Sequence, residues 1–321
     1  MSIRTLPRAL ALVPALLLFV SSAALAQDTD DKTAIKLLKG DLKAIEKAHK
    51  NACKAALNQL GVDLAAVQSA IDAALDPDAP PPPQAPDFLG DIFAAYRTYA
   101  QDSADAERVA NDDLALCAGT ILNDPGASGA YPDGFVIGDG GGIDRTMNKV
   151  RGGSDKSADK AVKMAKRVLG TLEKDLGYLA QVTLDSSAIP LLAPVVLNDP
   201  EDGDPAPYVD RRAYGPTIDV VVAGRDPANE ENDRLFVAGA IDETQILIGV
   251  QAVLTGANFQ EAVVDAEVTE DSGRWSAVIE TVEASDGICD AQRGCGIDQG
   301  NYVVSVRVDD FFEVTRAIGM P

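Results

Sequence analysis

The apolar residues of this chain change period part-way along it, and that change writes two kinds of structure into one polypeptide. Up to about residue 184 they recur at alternating steps of three and four, the seam pattern of packed helices. From 217 onward they recur at every second position, the pattern of half-buried strands. A chain with this layout is expected to be helical first and β second.

Ile35, Leu38, Leu42, Ile45, His49, Ala52 and Ala56 mark a helix over 32–60, with lysines from Lys36 to Lys54 on its other faces. A shorter helix is expected from Asp63 to Leu75. Residues 76–86 hold four consecutive prolines, which cannot be helical and predict an extended spacer. Leu89, Ile92, Tyr96, Tyr99, Ser103, Ala106, Ala110 and Cys117 carry a second seam over 88–118. Val162, Ala165, Leu169, Leu172, Leu176, Leu179 and Val182 carry a third over 155–184, with Ser154 or Asp155 as its cap. Between them, 123–153 reads as a Gly-rich loop. Its Gly138–Gly142 run invites comparison with a phosphate cradle, but it follows no strand and lacks the Lys-Ser/Thr ending of a P-loop. Residues 27–185 are therefore expected to form an antiparallel helical hairpin or bundle.

In the second half, alternation over 218–222, 246–254, 262–268, 275–279, 302–308 and 312–318, together with 234–240, predicts about seven short strands with no helix between them. That pattern suggests a two-sheet sandwich over 216–321. Residues 186–215, dense in Pro and Asp, read as a stiff linker between the halves.

Asp298-Gln-Gly300-Asn-Tyr302 has the D-x-G-x-Y form of the tyrosine corner that precedes strand F in immunoglobulin-like sandwiches. Gly273-Arg-Trp275-Ser-Ala277, then Gly300-Asn-Tyr302-Val-Val304-Ser-Val306 ending at Asp309, resembles the bacterial Ig-like repeats of surface and secreted proteins. The resemblance covers roughly 205–318. It implies a seven-stranded Ig-like fold, structural roles for Trp275, Asp298, Gly300 and Tyr302, and mechanical spacing or ligand binding rather than catalysis. The antibody inter-sheet disulfide is missing, since Val304 stands where its second Cys would fall.

The address comes from residues 1–26. Arg4 and Arg8, the apolar run Ala9–Val20 and the Ala24-Leu25-Ala26 ending form an export signal with an A-x-A cleavage pattern. Cleavage near Ala26 would release a chain that works in the periplasm or outside the cell. The chain carries 28 basic and 50 acidic residues, a net charge of −22, and only one histidine. Such a balance repels nucleic acid and anionic lipid. No later apolar run is long enough for an integral membrane span. Charge is unevenly shared: residues 27–185 hold 25 acids and 18 bases, residues 186–321 hold 25 acids and 8 bases, and no lysine follows Lys174.

Export makes disulfides the default state of Cys53, Cys117, Cys289 and Cys295. Pairing within each half is the simplest of the three possibilities. A 53–117 bridge would contribute roughly 4 kcal/mol and a 289–295 bridge roughly 2 kcal/mol. His49 and Cys53 stand four apart on one helix face, the spacing of a thiol–imidazole pair; a seam histidine beside an oxidised cysteine is the plainer reading. Asp199, Glu201, Asp202 and Asp204 offer the oxygen ligands Ca²⁺ takes, with Asp226, Glu230, Glu231 and Asp233 as a second group and Asp309-Asp310 as a third. Their spacing matches no EF-hand loop, so solvated acidic loops are the competing reading and no other cofactor is expected. Trp275 alternates with core residues and is read as core rather than as a sugar platform.

The poverty of catalytic residues points to a non-enzymatic interaction or scaffold protein of the envelope or extracellular space. Its expected partner is a protein or glycan there, with self-association through the helices as a further option. The alternative is an enzyme or accessory protein acting on polysaccharide through paired acids.

Overall fold

The computed structural model of the protein describes residues 31–78, 86–123, 142–184, 216–225, 233–241, 249–256, 259–269, 274–280, 300–308 and 312–321. Helix α1 (Asp31–Leu75) is one unbroken helix of 45 residues, about 68 Å long. The two helices expected over 32–75 are thus one, because the buried steps Ala56, Leu60, Leu64, Val67 and Ile71 run straight through Gly61. Helix α2 (Phe88–Asn123) returns antiparallel, burying the expected seam from Leu89 through Ala110, then Leu114. Helix α3 (Gly142–Thr171) runs beside α1 in the same direction: Glu46, His49 and Gln68 meet Lys149, Ser154 and Thr171 in turn.

The third helix differs from the sequence reading at both ends. It begins at Gly142, so the loop read over 123–153 is helical from there on, and Ser154 is a mid-helix core residue instead of a cap. Ile143 and Val150 supply the apolar positions that carry the helix through its paired glycines. Its far end does not reach 184. A π-helical turn (Leu172–Leu176) leads to Gly177 in the left-handed region, φ 77°, where the Gly177 and Tyr178 amides donate back to the Glu173 and Leu172 carbonyls. Glycine terminates the helix there without a Cβ penalty.

Beyond this turn the chain becomes strand β1 (Leu179–Leu184), which pairs antiparallel with β2 (Val220–Arg225). The other strands are β3 (Arg234–Ala240), β4 (Val250–Gly256), β5 (Phe259–Asp265), β6 (Glu267–Thr269), β7 (Arg274–Glu280), β8 (Gly300–Val308) and β9 (Phe312–Met320). They form a five-stranded sheet of order β1-β2-β3-β7-β6 and a four-stranded sheet of order β5-β4-β8-β9, with every ladder antiparallel. Among the described residues nine strands stand where about seven were expected, for two local reasons. The end of the third seam is itself a strand, and the alternation over 262–268 changes sheets at Ala266, whose amide donates to the Val250 carbonyl at 2.8 Å.

The layers are helices, first sheet, second sheet. Val182, Val220, Val222, Phe236 and Ala238 face the helices and join their core. Val221, Ala223, Leu235, Val237, Ala277 and Ile279 point the other way and share a core with Ala252, Leu254, Val304 and Val306 of the second sheet. Strands buried on both faces become continuously apolar, as Val220-Val221-Val222-Ala223 is. Phe93 of α2 stacks on Phe236 with ring centroids 5.1 Å apart. The two sheets are tied together on this side as well: Gln181 of edge strand β1 donates to the Gly319 carbonyl of edge strand β9, and Arg316 of β9 donates to the Ile218 carbonyl just before β2 at 2.9 Å.

Candidate functional site

The polar chemistry of the helical part is turned inward. Ser103, Glu107 and Asn111 succeed one another at steps of four along α2, and Ser154 and Ser157 answer them from α3. His49 and Cys53 complete the layer from α1. His49 Nε2 lies 3.0 Å from Ser154 Oγ and 3.3 Å from Cys53 Sγ. One level away, the Tyr99 hydroxyl donates to Ser157 Oγ at 2.8 Å, and the Tyr96 hydroxyl donates to the Ala161 carbonyl at 2.6 Å.

Burial sets the protonation of this layer. It lowers the pKa of His49, so the imidazole is held neutral. It pushes the Cys53 thiol up to about 11, with the nearby Glu107 carboxyl acting in the same direction. Burial also raises Glu107, aided by Asp155 and opposed by a Ser154 hydrogen bond and by Arg151. The layer therefore contains a thiol, an imidazole, a hydroxyl and a carboxyl within reach of one another. His49, Cys53, Ser154 and Glu107 are 4 %, 5 %, 1 % and 1 % exposed, so substrate has no approach to them. A protonated, buried thiol is a poor nucleophile. The layer is only partly satisfied, since Glu107 Oε2 and Asn111 Oδ1 are buried without a hydrogen-bond partner; its His49–Ser154 and Tyr99–Ser157 bonds between helices nevertheless hold one helix register. Sequence reading reached His49, Cys53 and Ser103. It missed Glu107 and Asn111, though their four-residue step from Ser103 was there to be read.

Cys53 and Cys117 are free thiols, so the bridge expected between them is not made. In the antiparallel hairpin Cys53 senses Glu107 while Cys117 senses Asp41. The two cysteines are about ten residues out of step, roughly 15 Å along the helices. A disulfide needs its Cα atoms within about 7 Å.

A second junction lies where α2 crosses the first sheet. Arg97 and Gln101 of α2 line a shallow groove with Asp219, Arg274 and Trp275. Arg274 pairs with the buried Asp219 at 3.3 Å, and Arg97 donates to Ser276 Oγ at 3.2 Å. The groove's cations are thus engaged with the protein's own acceptors. Trp275 is buried in the sheet core, with Nε1 donating to the Thr217 carbonyl at 3.0 Å. Tyr302 is buried near the start of β8, two residues after Gly300.

Of the acidic groups considered for Ca²⁺, Asp233 is paired with Arg225 at 3.3 Å. Asp199, Glu201, Asp202, Asp204, Asp226, Glu230, Glu231, Asp309 and Asp310 lie outside the described residues, as do Cys289, Cys295 and Asp298. Among the described residues no three His, Cys, Asp or Glu side chains form a metal-binding group, and no helix is long and apolar enough to cross a membrane.

No family model matches the chain, and no curated protein matches it.

Proposed function

We propose that the protein is an exported, non-enzymatic interaction or scaffold protein whose β part is an Ig-like sandwich buttressed by the helical bundle. The observation that carries this reading is strand order. An immunoglobulin sandwich puts strands A, B, E and D in one sheet and C, F and G in the other, with C′ added beside C in the variable type. With β2 as A, β3 as B, β4 as C, β5 as C′, β6 as D, β7 as E, β8 as F and β9 as G, the two sheets match that order, and β1 is an extra edge strand beside A. Tyr302 then falls near the start of F, where the tyrosine corner belongs. Trp275 falls on E rather than on C, a departure from the antibody pattern.

The inward-facing polar layer supports a holding role over a reacting one. The residues at the start of the chain, from Arg4 to Ala26, support export and cleavage before Gln27. The test is direct. Protein recovered from its native compartment is expected to begin at Gln27 and to leave envelope polysaccharide intact. New reducing ends released by the pure protein would replace this reading with the polysaccharide-acting one.

A further inference from the structure

All thirteen lysines of the chain lie between Lys32 and Lys174, on α1, on α3, or in the turn that ends α3. Residues 31–54 of α1 carry seven bases and three acids. Helix α3 carries eight bases and three acids, whereas α2 carries two bases and six acids. The first and third helices are therefore positive within a chain of net charge −22.

Their positive sides overlap in space. On α1, Lys36, Lys43, Lys47, Lys50 and Lys54 are exposed, on the flank that carries Glu46, Gly61 and Gln68. Those three residues meet Lys149, Met164 and Thr171 of α3. On α3, Arg145, Lys149, Lys156, Lys160, Lys163 and Arg167 are exposed at helical spacing, on the flank turned toward α1. The result is two parallel rows of cations, each about 30 Å long, staggered by these contacts so that they run side by side, about 10 Å apart, over about 18 Å. Lys149 spends part of its charge on Glu46, at 2.8 Å.

We propose that this outer α1/α3 face docks on the headgroup surface of an anionic lipid bilayer. A single chain of charges fits a groove, whereas two straight rows of cations on packed cylinders form a plane, and a bilayer surface is a plane of anions. Of the exposed apolar residues of α1, Leu37 and Val62 fall on the other flank, with Asp41 and Asp63, and Leu75 lies at the end of the helix, about 30 Å beyond Lys54. The face therefore adsorbs by charge and does not insert. The net negative charge of the whole chain does not forbid this, because charges beyond about 8 Å are screened at physiological salt. Composition alone pointed to repulsion from anionic lipid; segregation of the charge reverses that locally. The proposal does not depend on the Ig-like reading of the sheets.

Sedimentation with vesicles tests it. The purified protein is expected to sediment with vesicles of phosphatidylcholine and phosphatidylglycerol at physiological salt, to be released at about 1 M salt, and to ignore phosphatidylcholine alone. Reversal at Lys50→Glu, Lys54→Glu, Lys156→Glu and Lys160→Glu together is expected to lower partitioning at least ~100-fold. Arg108→Glu on α2 should leave it unchanged. Equal sedimentation of the reversed and native proteins would overturn the proposal, as would no sedimentation of the native protein with the anionic vesicles. So would binding to dextran sulfate without binding to vesicles, which would assign the face to a linear polyanion. Should the reversed protein lose its helical circular dichroism, salt titration of the native protein decides, and vesicle binding indifferent to salt would end the idea.

Discussion

Leu89 of α2 lies directly over Gly224 of β2, so closely that a Cβ on Gly224 would fall within the leucine side chain. Leu89 is itself buried and has nowhere to retreat. Helix and sheet meet here because the strand offers no side chain. Gly224→Ala is expected to cost about 1–3 kcal/mol, the usual penalty of overpacking. Urea unfolding measures it. A Gly224→Ala protein as stable as the parent would mean that α2 does not rest on β2 at this point.

The polar layer makes stability depend on pH in two opposed ways. The folded pKa of His49 lies below its usual 6.5, so on acidification the unfolded chain takes up the proton first. That contribution is present above about 6.5 and is lost as pH falls toward the folded value. The folded pKa of Glu107 lies above its usual 4.5, so on alkalinisation the unfolded chain loses the proton first. Its contribution is present below about 4.5 and is lost as pH rises through the folded value. Glu107→Gln removes the second dependence alone. Melting temperature against pH should fall less steeply on the alkaline side for this variant. Parallel curves for variant and parent would show that Glu107 ionises alike in both states.

How much of this was legible in the sequence depends on what each residue reports. The seam of α2 was readable residue by residue, because a helix buried along one stripe repeats its own geometry. The seam from Leu179 to Val182 was not, since a few apolar residues after a helix fit either period. Only Gly177, in a left-handed conformation, separates the two. The docking of helices on the first sheet was written in the unbroken Val220–Ala223 run, which leaves no polar face for solvent. Counting only Ile218, Val220 and Val222 hid it. Helix register was beyond reach, and with it the separation of Cys53 from Cys117, because a repeating seam matches itself at several offsets. The polar layer that chooses among those offsets required partners from three helices at once.

That register has a chemical signature. Cys53 is buried beside His49, and Cys117 is only partly buried. Burial pushes both thiols up to about 11, so both react slowly and exposure sets the order. In native protein a maleimide is expected to label Cys117 well before Cys53, and denaturation should equalise them. Peptide mass mapping reads both rates. A cross-linked peptide joining Cys53 to Cys117 would require the helices to slide about ten residues and would refute the hairpin alignment.

The helices and sheets are expected to unfold as one. Phe236 of β3 stacks on Phe93 of α2 and belongs to the helix-facing core, while its neighbours Leu235 and Val237 belong to the core between the sheets. Strand β3 therefore carries both cores on opposite faces, and loss of one unseats the other. The chain supplies an independent probe for each side: circular dichroism reports the three helices, and the single tryptophan, Trp275, is buried between the sheets. In the parent protein the two denaturation curves should coincide. Phe236→Ala should shift both together by about 3–5 kcal/mol, the cost of removing a buried phenyl ring. Curves that separate, with helical signal lost while Trp275 fluorescence stays native, would show that the sheets stand without the bundle.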